Sequence, residues 1–389
     1  MNEFMSLHIP VIDFDMPITD LIMRLEQLRY KDLSTSTTHP LVLTQIKEVF
    51  QMLESIGSSR IEGNNTTIID YVETTKIDKN YSPIDERKEN IREIMNLENA
   101  MRYIEENIYD TPISMQLIRE LHMLAVQGLS YHKEGAAYPG DFRNGNVKIN
   151  GSSHTPPDFT QVPPLMEELI DFVNKEDPQK YDLIKIAIAH HRFVWIHPFE
   201  NGNGRVVRLF TYALFLKNVF KSRKRIINPT AVFCSNRSAY YDYLAKADND
   251  GDSGLIAWSQ YMLEGLKIEL EKIDKLIDYQ TLKEIILYPA LADALEKKYI
   301  TSDAHSILKL TIDNEDQQLQ SSDLIPLFPR KSSSERSRLI RSLIDQRLLI
   351  PLKKGARKYV ICFSNNFLMR SVLKALDEGG FLPNNSFEM

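Results

Sequence analysis

From Leu41 to Phe220 apolar residues recur mostly three and four positions apart, as in Ile91, Ile94, Leu97 and Met101, or Leu117, Ile118, Leu121 and Leu124. That is the period of a helix with one face turned to a core, and the two-residue alternation of strands is scarce. The pattern predicts a mainly α core. Thr111 and Pro112 predict the cap and first turn of the helix through Leu117. One stretch breaks the period. Between Pro139 and Gly151 the Asn144-Gly145 pair and Gly151 are turn formers, and Val147 and Ile149 alternate with polar neighbours. This predicts a short hairpin or extended flap between helices. A long amphipathic helix is predicted from about Gly254 to Tyr279, with Trp258, Met262, Leu266, Leu270 and Ile273 on one face. Beyond Pro289 the chain changes character. Ser332 to Leu349 reads as a helix, and the run from Lys353 to Ile361 reads as a basic hairpin.

A helix followed by a basic hairpin resembles the recognition helix and wing of a winged-helix module, an α+β appendage. Residues 331–370 hold ten Lys or Arg against two acids, on a chain whose net charge is −6. The overall acidity excludes a protein that coats nucleic acid along its whole length, while the local excess would suit a DNA backbone. Such appendages also serve protein contacts, so both partners stay open. The 389 residues, 43% hydrophobic and 26% charged, suit a globular chain of two or three domains. No apolar run of about 18 residues is present, and the N-terminus lacks a basic flank followed by a continuous apolar stretch. Neither a membrane span nor a secretory signal is read. Cys234 and Cys362 are far apart and share no ligand spacing with histidines. They read as small buried hydrophobes in a reducing, cytoplasmic setting.

The chemistry concentrates in His197, Pro198, Phe199, Glu200, Asn201, Gly202, Asn203, Gly204, Arg205, Val206, Val207 and Arg208. Helical spacing from Leu183 to Ile196 must stop at His197, because a following proline disfavours helical geometry. Helical spacing resumes at Arg205, so the motif is a tight turn between two helices. Glycines there let successive backbone N–H groups converge, and a helix start adds positive potential, which together can cradle a phosphate. Arg205 and Arg208 share a helix face and add two guanidinium groups. His197, with an ordinary pKa near neutrality, could take a proton from a hydroxyl nucleophile.

This segment resembles the signature of Fic proteins, which transfer AMP from ATP to protein hydroxyls. The resemblance covers roughly residues 40–280. It implies an all-helical core with a β-hairpin flap that docks the target protein, here about residues 140–157. It implies His197 as general base and Phe199, beside Pro198, as the residue that fixes the loop. Gly202, Asn203 and Gly204 would hold phosphates, and Arg205 and Arg208 would bind the β- and γ-phosphates. One position departs from the pattern: where active relatives carry Asp or Glu to bind magnesium or manganese, this chain has Asn201, whose neutral amide gives up a charge at a hard cation. The implied division is 1–90 as an N-terminal helical region, 91–285 as the catalytic core and 290–389 as the winged helix.

Upstream, Ser58 and Glu62 lie four apart on one helix face, with Gly63 placed to end the helix. The segment resembles the inhibitory motif of Fic proteins, in which the glutamate pairs with the second arginine, here Arg208. The resemblance implies an AMP transferase that inhibits itself through Glu62. It leaves open an enzyme that also removes AMP, or a crippled core that senses nucleotide while the winged helix binds DNA. Relatives are often homodimers. Other signals are weaker. The run Asp248 to Asp252 lacks the glycine and glutamate of a calcium loop, and His190 and His191 read as packing residues.

Overall fold

The computed structural model describes residues 7–31, 36–77, 85–149, 151–220 and 226–382. It is 64% helical. The first helices are α1 (Pro17–Arg29), α2 (Pro40–Ile61), α3 (Ile68–Val72), α4 (Asp85–Asn107), α5 (Met115–Val126) and α6 (Val162–Asn174). They are followed by α7 (Asp182–Ile196), α8 (Asn203–Leu214), α9 (Ala231–Ser235), α10 (Arg237–Asn249) and α11 (Gly251–Lys275). The last are α12 (Tyr279–Leu282), α13 (Tyr288–Glu296), α14 (Ser302–Asp313), α15 (Ser333–Asp345) and α16 (Leu368–Glu378). Between α15 and α16 lie two strands, β1 (Leu349–Pro351) and β2 (Tyr359–Ile361). No helix among the described residues is long and apolar enough to cross a membrane.

The chain forms two compact units. The first comprises residues 1–31, 51–65 and 84–270, and the second residues 32–50, 66–83 and 271–389. The first unit is built around α7. Every residue from Leu183 to Phe193 is buried, which is what a helix covered on all sides requires. Helix α8 packs on α7, and α4, α5 and α6 complete the layer around them. The apolar face foreseen on the long helix is buried, from Trp258 at 0% exposure to Leu270 at 0%. That helix runs over Gly251–Lys275, shifted a few residues towards the N-terminus from its expected bounds.

Three expectations are corrected. Helix α5 starts at Met115 rather than after Thr111, because the Ser114 side chain accepts the Leu117 N–H at 3.2 Å and so supplies the cap. Helix α15 stops at Asp345, short of Leu349. Arg347 turns left-handed with φ 58, and the Leu348 N–H donates back to the Leu343 carbonyl at 2.8 Å. The flap takes the extended form and no strand forms in it among the described residues; Asn150 lies outside them. Its carbonyls at Gly145 and Pro157 accept from the Arg143 guanidinium, at 3.0 and 2.5 Å, in place of a cross-strand ladder.

In the second unit β1 and β2 pair antiparallel, with Leu349 opposite Ile361 and Pro351 opposite Tyr359. Leu319 joins the other edge of β2 through Tyr359, by N–H to carbonyl bonds of 2.8 and 2.9 Å in each direction. Gln45 seals this small sheet, donating to the Ile361 carbonyl at 2.9 Å and accepting the Phe363 N–H at 2.8 Å.

Candidate active site

Helix α7 ends where Pro198 requires. His197 is left-handed (φ 51, ψ 62), rare for a residue with a Cβ, and its N–H still donates to the Phe193 carbonyl at 3.0 Å. The turn closes through one side chain. Asn203 accepts the Phe199 N–H and donates to the Phe199 carbonyl, both at 2.8 Å. With its amide spent on the loop, Asn203 has only its backbone to offer a ligand. Gly202 (φ 78) starts α8, and the first helical bond runs from the Val206 N–H to the Gly202 carbonyl at 3.0 Å. The N–H groups of Asn203, Gly204 and Arg205 are therefore first-turn donors without helical acceptors, the arrangement that attracts an anion.

Phe199 is fully buried and stacks on His122, with centroids 3.9 Å apart and planes 8° from parallel. His122 accepts the Gly140 N–H on Nδ1 at 2.8 Å, so its Nε2 carries the proton and donates to the Asn201 carbonyl at 3.2 Å. Burial lowers His122 to about 4, which keeps it neutral in that role. It thus links the base of the flap to the turn. Arg143 makes a second link. Its N–H donates to the Pro198 carbonyl at 2.9 Å and its Nε to the His197 carbonyl at 2.8 Å.

His197 itself is half-buried. Burial lowers it to about 4, opposed by the Val194 carbonyl and assisted by the positive charge of Arg143. The imidazole is neutral at neutral pH and free to accept a proton.

Both arginines of the motif are engaged. Arg205 is fully buried, with Nη1 3.2 Å from Glu93 and Nη2 3.0 Å from the Glu134 carboxylate and 2.7 Å from the Glu134 carbonyl. Arg208 donates through Nε to Ser58 Oγ at 2.7 Å, and through Nη2 to the Ser58 carbonyl at 3.0 Å and Glu62 Oε1 at 2.7 Å. Burial would raise the Glu62 carboxyl, but Arg208, with Arg205 and Arg237, reverses that and holds it below its ordinary value. The same carboxylate lies over the nest: a Cβ on Gly204 would stand 2.1 Å from Glu62 Oε1. The spacing that placed Ser58 and Glu62 on one face is thus realised on a single guanidinium.

Helix α2 presents Glu62 through its C-terminus. Gly63 (φ 106) donates to the Arg60 carbonyl at 3.0 Å and Asn64 to the Ser59 carbonyl at 3.1 Å, the paired bonds of a Schellman turn. Asn64 then donates to Glu93 at 2.7 Å, joining the turn to the partner of Arg205.

Asn201 does not stand as a metal ligand. Its Nδ2 donates to the Lys133 carbonyl at 2.7 Å and the Gly135 carbonyl at 3.2 Å, and its Oδ1 accepts the Gly202 N–H at 2.7 Å. One neutral oxygen already accepting a hydrogen bond does not fit a resident divalent ion. Among the described residues no three His, Cys, Asp or Glu gather as a metal group. His190 and His191 are packing residues as expected. His190 is buried between Thr211 and Tyr240, at 2.8 and 3.0 Å, and His191 meets Asp248 at 2.8 Å.

Sequence reasoning missed Glu93, Glu134, His122, Arg143 and Glu54. Glu54, one turn before Ser58, is buried and accepts the Thr230 N–H on both oxygens at 3.0 Å. Burial pushes its carboxyl up to about 8. A carboxylate on the inward face of a helical pattern was the available signal for Glu54 and Glu93; the other three have no marker of their own in the sequence.

Residues 112–215 match the Fic/DOC family. The protein adenylyltransferase Fic of Aedes aegypti is 30% identical over 236 residues, covering 59% of this chain and 43% of that protein. The protein of the same name from Drosophila virilis is 32% identical over 196 residues, covering 49% and 36%. The chain thus spans less than half the length of these curated relatives. Among solved structures, a Fic family protein from Desulfovibrio desulfuricans G20 has a TM-score of 0.56 at 20% identity, covering 91% of this chain and 98% of that one. A Fic domain containing signaling protein from Bacteroides thetaiotaomicron VPI-5482 has a TM-score of 0.51 at 20% identity, covering 65% and 97%. These likenesses show the fold.

Proposed function

We propose that this chain, which carries a Fic/DOC family domain over residues 112–215, is a protein adenylyltransferase held inactive by its own Glu62. The observation that supports this reading is the Glu62 carboxylate resting on the α8 nest and on Arg208, where a polyphosphate would go. ATP is the donor. It brings magnesium or manganese as its own counter-ion, to which Asn201, its amide spent on the loop, adds no charge.

In this reaction His197 takes the proton of a Ser, Thr or Tyr hydroxyl on the target protein. The hydroxyl oxygen attacks the α-phosphorus, the bond from that phosphorus to the α–β bridging oxygen breaks, and pyrophosphate leaves with the electron pair. The nest amides of Asn203, Gly204 and Arg205 stabilise the charge on the transferring group, and buried Arg205 supplies positive potential behind them. Arg208 joins them once Glu62 withdraws. The flap would hold the target as an added strand. From Asn144 to Ile149 its exposure alternates and its N–H groups make no backbone bonds among the described residues. A cytoplasmic location and a homodimer are consistent with this reading.

The test is pyrophosphate release with ATP and a protein extract. Glu62→Gly should release more than wild type, and Glu62→Gly with His197→Ala should release none. Silence from Glu62→Gly overturns the reading.

A further inference from the structure

Residues 302–361 run helix, bridge strand, short helical turn, helix, strand, basic turn, strand. Helix α14 is followed by Leu319 on the far edge of β2, the turn Ser321–Leu324, then α15, β1 and β2. This connectivity resembles that of a winged helix. We propose that it is a second binding site, independent of the transfer chemistry, and that its ligand is duplex DNA, with α15 in the major groove and the β1–β2 turn on the neighbouring phosphates.

Helix α15 is two-sided. Ile340 and Leu343 are buried, while Ser334, Ser337, Arg338 and Arg341 are exposed at spacings of three, four and seven, hence on one face. Its start is fixed by a capping box. Ser332 Oγ accepts the Glu335 N–H at 3.3 Å and the Glu335 carboxylate accepts the Ser332 N–H at 2.7 Å. One of the two acids in residues 331–370 is thereby committed to the cap, and the other, Asp345, sits at the far end of the helix. Between these two acids the face carries hydroxyls and guanidinium groups, with Asp345 one turn beyond Arg341. A helix of about 10–12 Å diameter fits a groove of about 12 Å, where its arginines can pair with the phosphates that border the groove.

The turn between the strands has the same chemistry. Lys353, Lys354 and Arg357 are exposed around Gly355 (φ 81), and the Ala356 N–H donates to the Lys353 carbonyl at 2.9 Å, which holds the turn in shape. Lys358 pairs with Asp316 at 3.2 Å and Arg370 with Glu73 at 2.6 Å. Arg338, Arg341, Lys353, Lys354 and Arg357 make no ion pair among the described residues. Five such cations on one short segment of an acidic protein form a local positive surface suited to an anionic partner. The rival occupant is an acidic protein surface, which exposed Ile325 and Leu327 would suit.

The test is fluorescence anisotropy of the full-length protein on a 30-base-pair DNA duplex, titrated between 50 and 200 mM salt. Five phosphate contacts give a log–log slope of about −4.5, so affinity should fall about 500-fold over that range. Arg338→Ala with Arg341→Ala, and Lys353→Ala with Lys354→Ala, should each flatten the slope by about 2 while the circular dichroism spectrum stays that of wild type. A duplex RNA of the same sequence, whose major groove is too deep and narrow for a helix, should bind more weakly. No binding at 50 mM salt, unchanged slopes in both double variants, or equal affinity for duplex RNA each overturns the proposal, and the first leaves the acidic protein surface as occupant.

Discussion

Replacing Glu62 by Gln keeps the side chain's shape and removes its charge. The perturbed contact is short and buried: Glu62 Oε1 is 2.7 Å from Arg208 Nη2, with side-chain exposures of 27% and 2%. The gross Coulomb attraction at that distance is about 6 kcal/mol at an effective dielectric constant of 20. Desolvation consumes most of it, and a hydrogen bond between charged groups nets about 2 kcal/mol. Ser58 still holds the guanidinium through two bonds, so Arg208 is not left unsatisfied. Glu62→Gln should therefore unfold in urea about 2 kcal/mol more easily while transferring label from ATP about 30-fold faster, the factor that energy implies. The wild-type advantage in stability has a defined pH window. With its carboxyl held below the ordinary value, Glu62 contributes fully above pH 4.5, and the contribution fades as pH falls through its lowered folded value. Transfer assays and urea melts at pH 7.5, with melts repeated at acid pH, measure both effects. Lower stability without faster transfer would reduce Glu62 to a structural ion pair with no hold on the reaction.

Arg143→Ala removes the fork that ties both ends of the flap to the turn, so KM for a protein target should rise at least tenfold while KM for ATP moves little; equal changes in both would place Arg143 in nucleotide binding instead. Glu54 keeps its proton when folded up to about pH 8 but loses it near 4.5 when unfolded. Stability should therefore fall between pH 4.5 and 8, and Glu54→Gln should abolish that slope in denaturant melts. His197, lowered to about 4, is already neutral at pH 5.5. The acid limb of kcat/KM for Glu62→Gly should lie near pH 4, and a limb near 6.5 would mean that the base is exposed.

The elements that could be read in advance are those whose cause is local. Pro198 ends α7, the apolar period marks α7 and α11, and four-residue spacing puts Ser58 and Glu62 on one face; each is a statement about neighbours in sequence. The site motif is legible for the same reason, since His197 to Arg208 is one turn and one helix start. What escaped depends on where distant segments meet. Nothing near Arg205 in sequence indicates that Glu93 and Glu134 enclose it, and nothing near Phe199 indicates that His122 stacks on it. Of the two forms open to the flap, hairpin or extended, its extended form depends on a distant contact: Arg143, 14 residues from Pro157, takes the carbonyls that a ladder would need. Asn201 carries the same lesson. Its position invites a metal, and its amide is spent on a loop more than 60 residues upstream.

In the proposed reaction AMP leaves ATP for a protein hydroxyl at His197, restrained by Glu62. ATP labelled at the α-phosphate and ATP labelled at the γ-phosphate, each given to wild type, Glu62→Gly and Glu62→Gly with His197→Ala, test it most directly. Expected are α-label on protein, more of it with Glu62→Gly, none without His197, and no γ-label in any sample. Protein-bound γ-label, or α-label that persists without His197, would contradict it.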